Sequence, residues 1–190
     1  MSMIFMALLL FSYVCGSIPF AKIVGFRYGI DIQKQGSGNI GFANVVRVLG
    51  WRAGLMVLPG DILKGFIPVI LAQQYLGLDQ VLAVGLAAIA GHVFPIWLRF
   101  RGGKGIATGL GVTLAISPVV GGLGLLVYLL GFVAFRKSAP SSIVAAWSLP
   151  LLCLAFYPKY ALFYLGLALV TVWTHRNNIQ QLRKRAADVA

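Results

Sequence analysis

Acidic side chains are nearly missing from this chain. Four aspartates and no glutamate stand against 16 lysines and arginines in 190 residues, a formal net charge of +12. With 59 % hydrophobic residues and a mean hydropathy of +0.90, that scarcity excludes a soluble globular domain. Cysteine is scarce too: Cys15 and Cys153 each fall in an apolar run, which argues against a disulfide framework or a metal site, and no metal or cofactor is expected. The first residues lack the basic cluster of a cleaved signal peptide. The chain is apolar from Ile4 past a good span length, so a first transmembrane helix is expected there.

What the chain does have is long apolar runs. About 20 apolar residues cross a bilayer, with about 17 as a practical minimum. Length and breakers predict seven spans, at about residues 3–20, 53–71, 81–98, two within 106–135, then 143–156 and 160–173. Ser117 and Pro118, followed by Gly121 and Gly122, break the long fourth run, and Tyr157, Pro158 and Lys159 separate the last two. Short spans are accommodated by kinks or a thinned bilayer. The fold class is therefore all-α: a polytopic integral membrane protein of about seven helices, some short, forming a single membrane-embedded domain over 1–190.

The cations set the orientation. Lys22, Arg27, Lys34, Arg47 and Arg52 lie between spans 1 and 2; Arg99, Arg101 and Lys104 between 3 and 4; Arg136 and Lys137 between 5 and 6; Arg176, Arg183, Lys184 and Arg185 after span 7. The opposite side holds Lys159 alone, and Lys64 lies within span 2. Under the positive-inside rule the N-terminus is outside and the C-terminus cytoplasmic. Insertion topology thus accounts for the basic residues, and no nucleic-acid partner is expected.

Every polar stretch with chemical potential falls on that same side. The first is Gly36, Ser37, Gly38, Asn39, Ile40 and Gly41, continuing through Asn44 to Arg47. Alternating glycines let successive N–H groups turn inward, Ser37, Asn39 and Asn44 add side-chain donors, and Arg47 adds a guanidinium fork suited to phosphate. The second is Gly102, Gly103, Lys104 and Gly105 at the head of span 4, where backbone N–H groups and Lys104 could grip a phosphate. Its spacing is not that of a P-loop. His92 lies just before it, as a packing or a site residue. Asp61 and Lys64 share one face of span 2, either as a structural ion pair or lining the site, since a charge at mid-bilayer costs about 2.5–3.5 kcal/mol. His175, Arg176 and Asn178 close span 7, and Ser141 and Ser142 open span 6 as caps or hydroxyl donors.

Taken together, Gly16 to Phe20, Gly36 to Gly41 with Asn44 and Arg47, Asp61 to Pro68, Gly91 to Pro95 with Arg101 to Thr108, and His175, Arg176, Asn178 and Ile179 resemble the PlsY family of bacterial acyltransferases. Three departures stand out: Phe42 and Ala43 where the family has Ala-Thr, Arg101 for Lys, and, past Asn178, Gln181 for Arg with no acid until Asp188. The resemblance implies transfer of a fatty acyl group from acyl phosphate to the sn-1 hydroxyl of glycerol 3-phosphate, giving lysophosphatidic acid. It also implies a multi-pass protein of the bacterial cytoplasmic (inner) membrane with its site facing the cytoplasm, membrane lipid as its surroundings, and a monomer. On this reading Ser37, Asn39, Arg47, Lys104 and His175 are catalytic. Gly36, Gly38, Gly41, Asn44, Asp61, Lys64, His92, Gly102, Gly103, Ser142, Arg176 and Asn178 bind substrate.

An acyl phosphate is already activated, so the chemistry needs positioning and charge neutralisation more than a nucleophile. No histidine is followed five residues later by aspartate: His92 leads to Trp97 and His175 to Gln180, which excludes the mechanism of thioester-dependent acyltransferases. A serine nucleophile needs a base, and none is near Ser37 in sequence, so direct attack by the glycerol hydroxyl is expected. The alternative is a membrane transporter of a phosphate or phospho-ester anion, against which stands the lack of an internal repeat or paired interrupted helices. Reporter fusions after Lys22, Arg101, Lys137 and Arg176 are expected to report cytoplasm and one at Asp79 periplasm. A cytoplasmic signal at Asp79 breaks this topology.

Overall fold

The computed structural model describes residues 2–187, and every regular element among them is helical. Prolines and glycines write the boundaries. Helix α1 (Met3–Ser17) stops because Pro19 pushes Ile18 into an extended conformation (φ −60°, ψ 117°), and α2 (Phe20–Arg27) resumes at once. A loop then leads to α3 (Phe42–Leu49), which Gly50 at φ +83° separates from α4 (Trp51–Gln73). Helix α5 (Leu78–Val93) precedes the second loop and α6 (Ile106–Ile116). Ser117, extended ahead of Pro118, divides α6 from α7 (Pro118–Phe135), as the breakers foretold, and its hydroxyl accepts from Val120 N–H at 3.4 Å. Helices α8 (Ser138–Phe156), α9 (Ala161–Thr174) and α10 (Arg176–Ala187) complete the chain, and Asp188 lies outside the described residues.

Five stretches are long and apolar enough to cross a membrane: Met3–Arg27, Trp51–Gln73, Leu78–Leu98, Pro118–Phe135 and Ser138–Phe156. The other two expected spans are α6, with 11 residues, and α9, with 14. At about 1.5 Å per residue they measure about 16 and 21 Å, against about 30 Å of hydrocarbon.

The chain divides into two compact units, Met1–Gly121 and Gly122–Ala190. In the first, α1 packs on α5 and α4, and α4 on α6. Lipid is as apolar as leucine, so these helices associate through close backbone approach and interhelical hydrogen bonds. Gly16 of α1 lies on the Ala88 backbone of α5, and Gly91 of α5 lies on the Tyr13 carbonyl of α1. Beside them Ser12 Oγ donates to Val84 O (2.7 Å) and Tyr13 Oη to Phe94 O (2.8 Å). Gly65 and Gly111 do the same between α4 and α6, against the Thr108 and Ile62 carbonyls, and Gln73 Nε2 donates to Ala115 O at 2.9 Å. A small core of Val24, Ile32, Ile40, Val45 and Val57 ties α2 and α3 onto α4 beneath the first loop.

In the second unit α8 packs along α9. Within it, Gly124 and Gly131 of α7 receive Leu149 and Ser141 of α8.

A leucine at Gly111 has no room, because its Cβ overlaps the Ile62 carbonyl. Gly111→Leu is expected to lower the melting temperature of detergent-solubilised protein by a loss of about 1–3 kcal/mol or more. Gly166→Ala, where a Cβ meets nothing within 4 Å, is expected to leave it unchanged or slightly higher.

Candidate functional site

The first loop is built by Asp31 and Asn44. Asp31 accepts from Lys22 Nζ (2.6 Å) and from the Gln33 N–H (3.0 Å), opening a 3-10 turn over Ile32–Lys34. The Lys22 hydrogen bond, then that of Gln33, holds its carboxyl below the usual carboxylate range. Asn44, buried on α3, accepts from Ser37 N–H at 2.8 Å and donates to the carbonyls of Gln35 (3.0 Å) and Ile32 (3.3 Å). Both its donors are thus spent on the loop, and it is a brace where a substrate contact was expected. Gly36 (φ +59°) and Gly38 (φ +70°) adopt the left-handed conformation that favours glycine, and a Cβ on Gly36 would overlap Asn44 Oδ1. Gly38 N–H donates to Gln35 O at 2.9 Å. The N–H groups of Ser37 and Gly38 therefore shape the loop, and its outward chemistry belongs to the exposed Ser37 and Arg47 and the partly buried Asn39. Gly41 caps the start of α3. The Phe42 ring leaves the loop, meeting Trp51 edge-on at 5.7 Å and packing over Gly54.

The second loop folds back onto the end of α5. Arg99 (φ 52°) and Phe100 (φ 62°) are consecutive left-handed residues, each costing about 1–3 kcal/mol, and Phe100 N–H donates to Pro95 O at 3.0 Å to hold the turn. Gly102 N–H then donates to Val93 O and Gly103 N–H to His92 O, both at 3.0 Å. This corrects the expectation that those two N–H groups face an anion. The glycines serve approach: a Cβ on Gly102 would overlap the His92 carbonyl, and one on Gly103 the His92 ring. Gly105, at φ +81°, turns the chain into α6.

The two loops meet. Gln33 Nε2 donates to the Arg101 carbonyl at 3.0 Å. Burial, and next the positive charge of Arg47, hold the Lys104 ammonium below the usual lysine range, so the cations of the two loops serve one region. Crowded like charges at a loop face favour a phosphate between them. Sequence reasoning singled out neither Gln33 nor Asp31. The aspartate carried a signal, its bond to the N–H two residues on; the glutamine carried none.

Asp61, Lys64 and His92 lie underneath, buried to 1, 5 and 3 % exposure, and do not line the open loops. Lys64 Nζ contacts Asp61 Oδ1 at 2.7 Å and donates to the Ile18 carbonyl at 2.9 Å. His92 Nδ1 stands 3.8 Å from Asp61 Oδ1.

The remaining expected residues belong to the second unit. His175 ends α9, buried, with Nδ1 at 2.9 Å from the Thr171 carbonyl. Arg176 lies over the Trp173 ring, 4.5 Å from its centroid, and donates to the Trp173 carbonyl; Asn178 is partly buried on α10. Ser141 and Ser142 are not caps. They sit inside α8 and donate to the Lys137 and Ser138 carbonyls, at 2.7 and 2.8 Å.

The fold defines a polytopic, all-helical integral membrane protein with two joined, cation-bearing loops. A family model described as glycerol-3-phosphate acyltransferase matches residues 6–185, across both units. The glycerol-3-phosphate acyltransferase of Geotalea daltonii is 42 % identical over 186 residues, covering 96 % of this chain and 95 % of that protein. Those of Desulforamulus reducens and Aquifex aeolicus are 45 and 40 % identical, covering 91 and 92 % of this chain and 88 and 93 % of their own lengths. Crystal structures of PlsY, an integral membrane glycerol 3-phosphate acyltransferase, in its glycerol 3-phosphate and lysophosphatidic acid forms, superpose with TM-scores of 0.90 and 0.88 at 38 % identity, over 95 % of this chain and 92 % of that one. The chain belongs to the glycerol-3-phosphate acyltransferase family.

Only protonated Lys104 attracts phosphate, and its pKa is lowered. Phosphomonoester binding, followed by calorimetry against pH, is therefore expected to weaken on the alkaline side earlier than an ordinary lysine, near pKa 10.4, requires. Lys104→Arg is expected to move that limb to higher pH. An unmoved limb assigns the titration to another group.

Proposed function

We propose that this protein transfers a fatty acyl group from acyl phosphate to the sn-1 hydroxyl of glycerol 3-phosphate, forming lysophosphatidic acid and inorganic phosphate at the cytoplasmic face of a bacterial inner membrane. The observation that carries this reading is the joining of two glycine-rich loops through Gln33 and the Arg101 carbonyl, beside Lys104 of the second loop and Arg47 on α3, whose charge bears on Lys104. Acceptor, donor and leaving group all carry phosphate, and two cations neutralise it during reaction. The helices that carry the loops supply apolar surface for an acyl chain.

The step is a direct acyl transfer. The glycerol oxygen attacks the acyl carbonyl carbon, the bond from that carbon to the phosphate oxygen breaks, and the hydroxyl proton leaves on a phosphate oxygen. Ser37 supports this: among the described residues its hydroxyl hydrogen-bonds to no histidine or carboxylate, while a serine nucleophile needs an adjacent base. Ser37 and Asn39 then donate to the developing oxyanion or to a phosphate. The chain acts as one membrane-embedded domain and a monomer.

Purified protein given glycerol 3-phosphate is expected to turn over acyl phosphate and to leave acyl-CoA and acyl carrier protein untouched; comparable turnover with acyl-CoA overturns the donor assignment. Ser37→Ala is expected to lose activity by about 2.7–4 kcal/mol of transition-state stabilisation. Wild-type protein mixed with labelled acyl phosphate alone is expected to show no adduct by denaturing mass spectrometry. An acyl group on Ser37 at a competent rate sinks direct attack.

A further inference from the structure

We propose that Asp61, Lys64 and His92 form a buried positioning unit that sets the spacing between Arg47 and Lys104. The inference rests on the reading that those two cations hold the phosphate. One carboxylate stands between two arms. Along the first, Asp61 Oδ1 holds Lys64 at 2.7 Å, and Lys64 Nζ reaches the Ile18 carbonyl at 2.9 Å, where α1 breaks and α2 begins. Helix α2 carries Lys22, which holds Asp31 at 2.6 Å, and Asp31 opens the turn that Asn44 braces from α3, the helix of Arg47. Along the second arm, His92 Nδ1 stands 3.8 Å from the same Asp61 oxygen. The His92 ring lies directly under Gly103, and its carbonyl takes the Gly103 N–H at 3.0 Å, one residue before Lys104.

The unit does more than fill space. Asp61 Oδ2 and His92 Nδ1 are buried without a hydrogen-bond partner among the described residues, as is Thr108 Oγ1 on α6, whose backbone carbonyl lies against Gly65 one turn beyond Asp61. Native proteins satisfy the great majority of their buried polar atoms, and each exception calls for an explanation beyond packing. Here the polar atoms are placed at the crossing of α1, α4, α5 and the second loop, the point that decides how the two loops sit with respect to each other.

The test is a double-mutant cycle on full-length protein in phospholipid vesicles, reading KM for glycerol 3-phosphate, kcat and melting temperature. His92→Ala removes the floor under Gly103, and Gly103→Ala drives a Cβ into that floor. Each is expected to raise KM about 10-fold or more with a smaller change in kcat, a displacement of about 1 Å being enough to cost up to about 100-fold. The double variant is expected to be no worse than the poorer single, because the truncated ring leaves room for the new Cβ. Lys64→Met, acting through the other arm, is expected to raise KM as well. Melting temperatures that fall while KM stays at the wild-type value, or KM effects that multiply in the double variant, overturn the proposal. Where His92→Ala gives no folded protein, His92→Gln completes the cycle under the same criteria. Calorimetric titration with glycerol 3-phosphate reads the spacing apart from chemistry, so wild-type protein that binds but does not transfer counts against the reaction and not against this unit.

Discussion

A proline in a membrane helix leaves a carbonyl that must find a donor. Pro19 ends α1 inside an apolar stretch, and the Ile18 carbonyl, turned out of the helical pattern and bonded locally only to the Phe20 N–H at 3.2 Å, also accepts from the Lys64 ammonium at 2.9 Å. With no water in hydrocarbon to serve backbone that leaves the helical pattern, a side-chain donor at such a break matters more than in a soluble fold. Lys64 in turn brings a charge into the helix packing, and Asp61 one turn earlier balances it. Removing one partner of such a pair strands the other, at a cost of about 3–5 kcal/mol. The break, the ammonium and the carboxylate therefore stand or fall together, and the turn of the chain into the first loop depends on them.

Glycine supplies the second constraint. Gly16 with Gly91, and Gly65 with Gly111, let α1, α5, α4 and α6 approach until backbones touch. That proximity brings His92 within 3.8 Å of Asp61 and lays the second loop over the end of α5. The loop glycines extend the same logic. Gly102 and Gly103 lie against His92 because they lack a Cβ, and their N–H groups are consumed in holding the turn. On the function proposed, the phosphate is left to side chains, above all Arg47 and Lys104. The N–H groups of Phe100, Arg101, Gly102 and Gly103 are all bonded, and a loop held in this way places a cation well.

Much of this was legible in the chain itself. The break at Pro118 follows from proline's exclusion of the α region for the residue before it. The all-helical membrane class follows from hydropathy, and the two motif loops from glycines clustered beside cations. Asp61 and Lys64 were recognisable as a pair because three residues on a helix put them on one face. Other readings went differently, the Gly102 and Gly103 N–H groups among them, since these bond the Val93 and His92 carbonyls. Asn44 looked like a ligand group and is a brace, because an amide next to glycines serves a loop as readily as a phosphate. Ser141 and Ser142 looked like caps and lie inside α8, whose first turn includes Pro140. The first expected span divides into α1 and α2, and α6 is shorter than a bilayer.

Local order along the chain decided the class of protein, the helix ends and the residue types of the site, because propensity, proline sterics and hydropathy act over a few neighbouring residues. Tertiary structure alone decided which groups meet. Gln33 finds the Arg101 carbonyl, Lys64 the Ile18 carbonyl and His92 the Gly103 backbone, each across tens of residues of chain. Those contacts depend on how closely helices pack and on where a break turns a carbonyl out of the helical pattern. No periodicity or local motif encodes either distance.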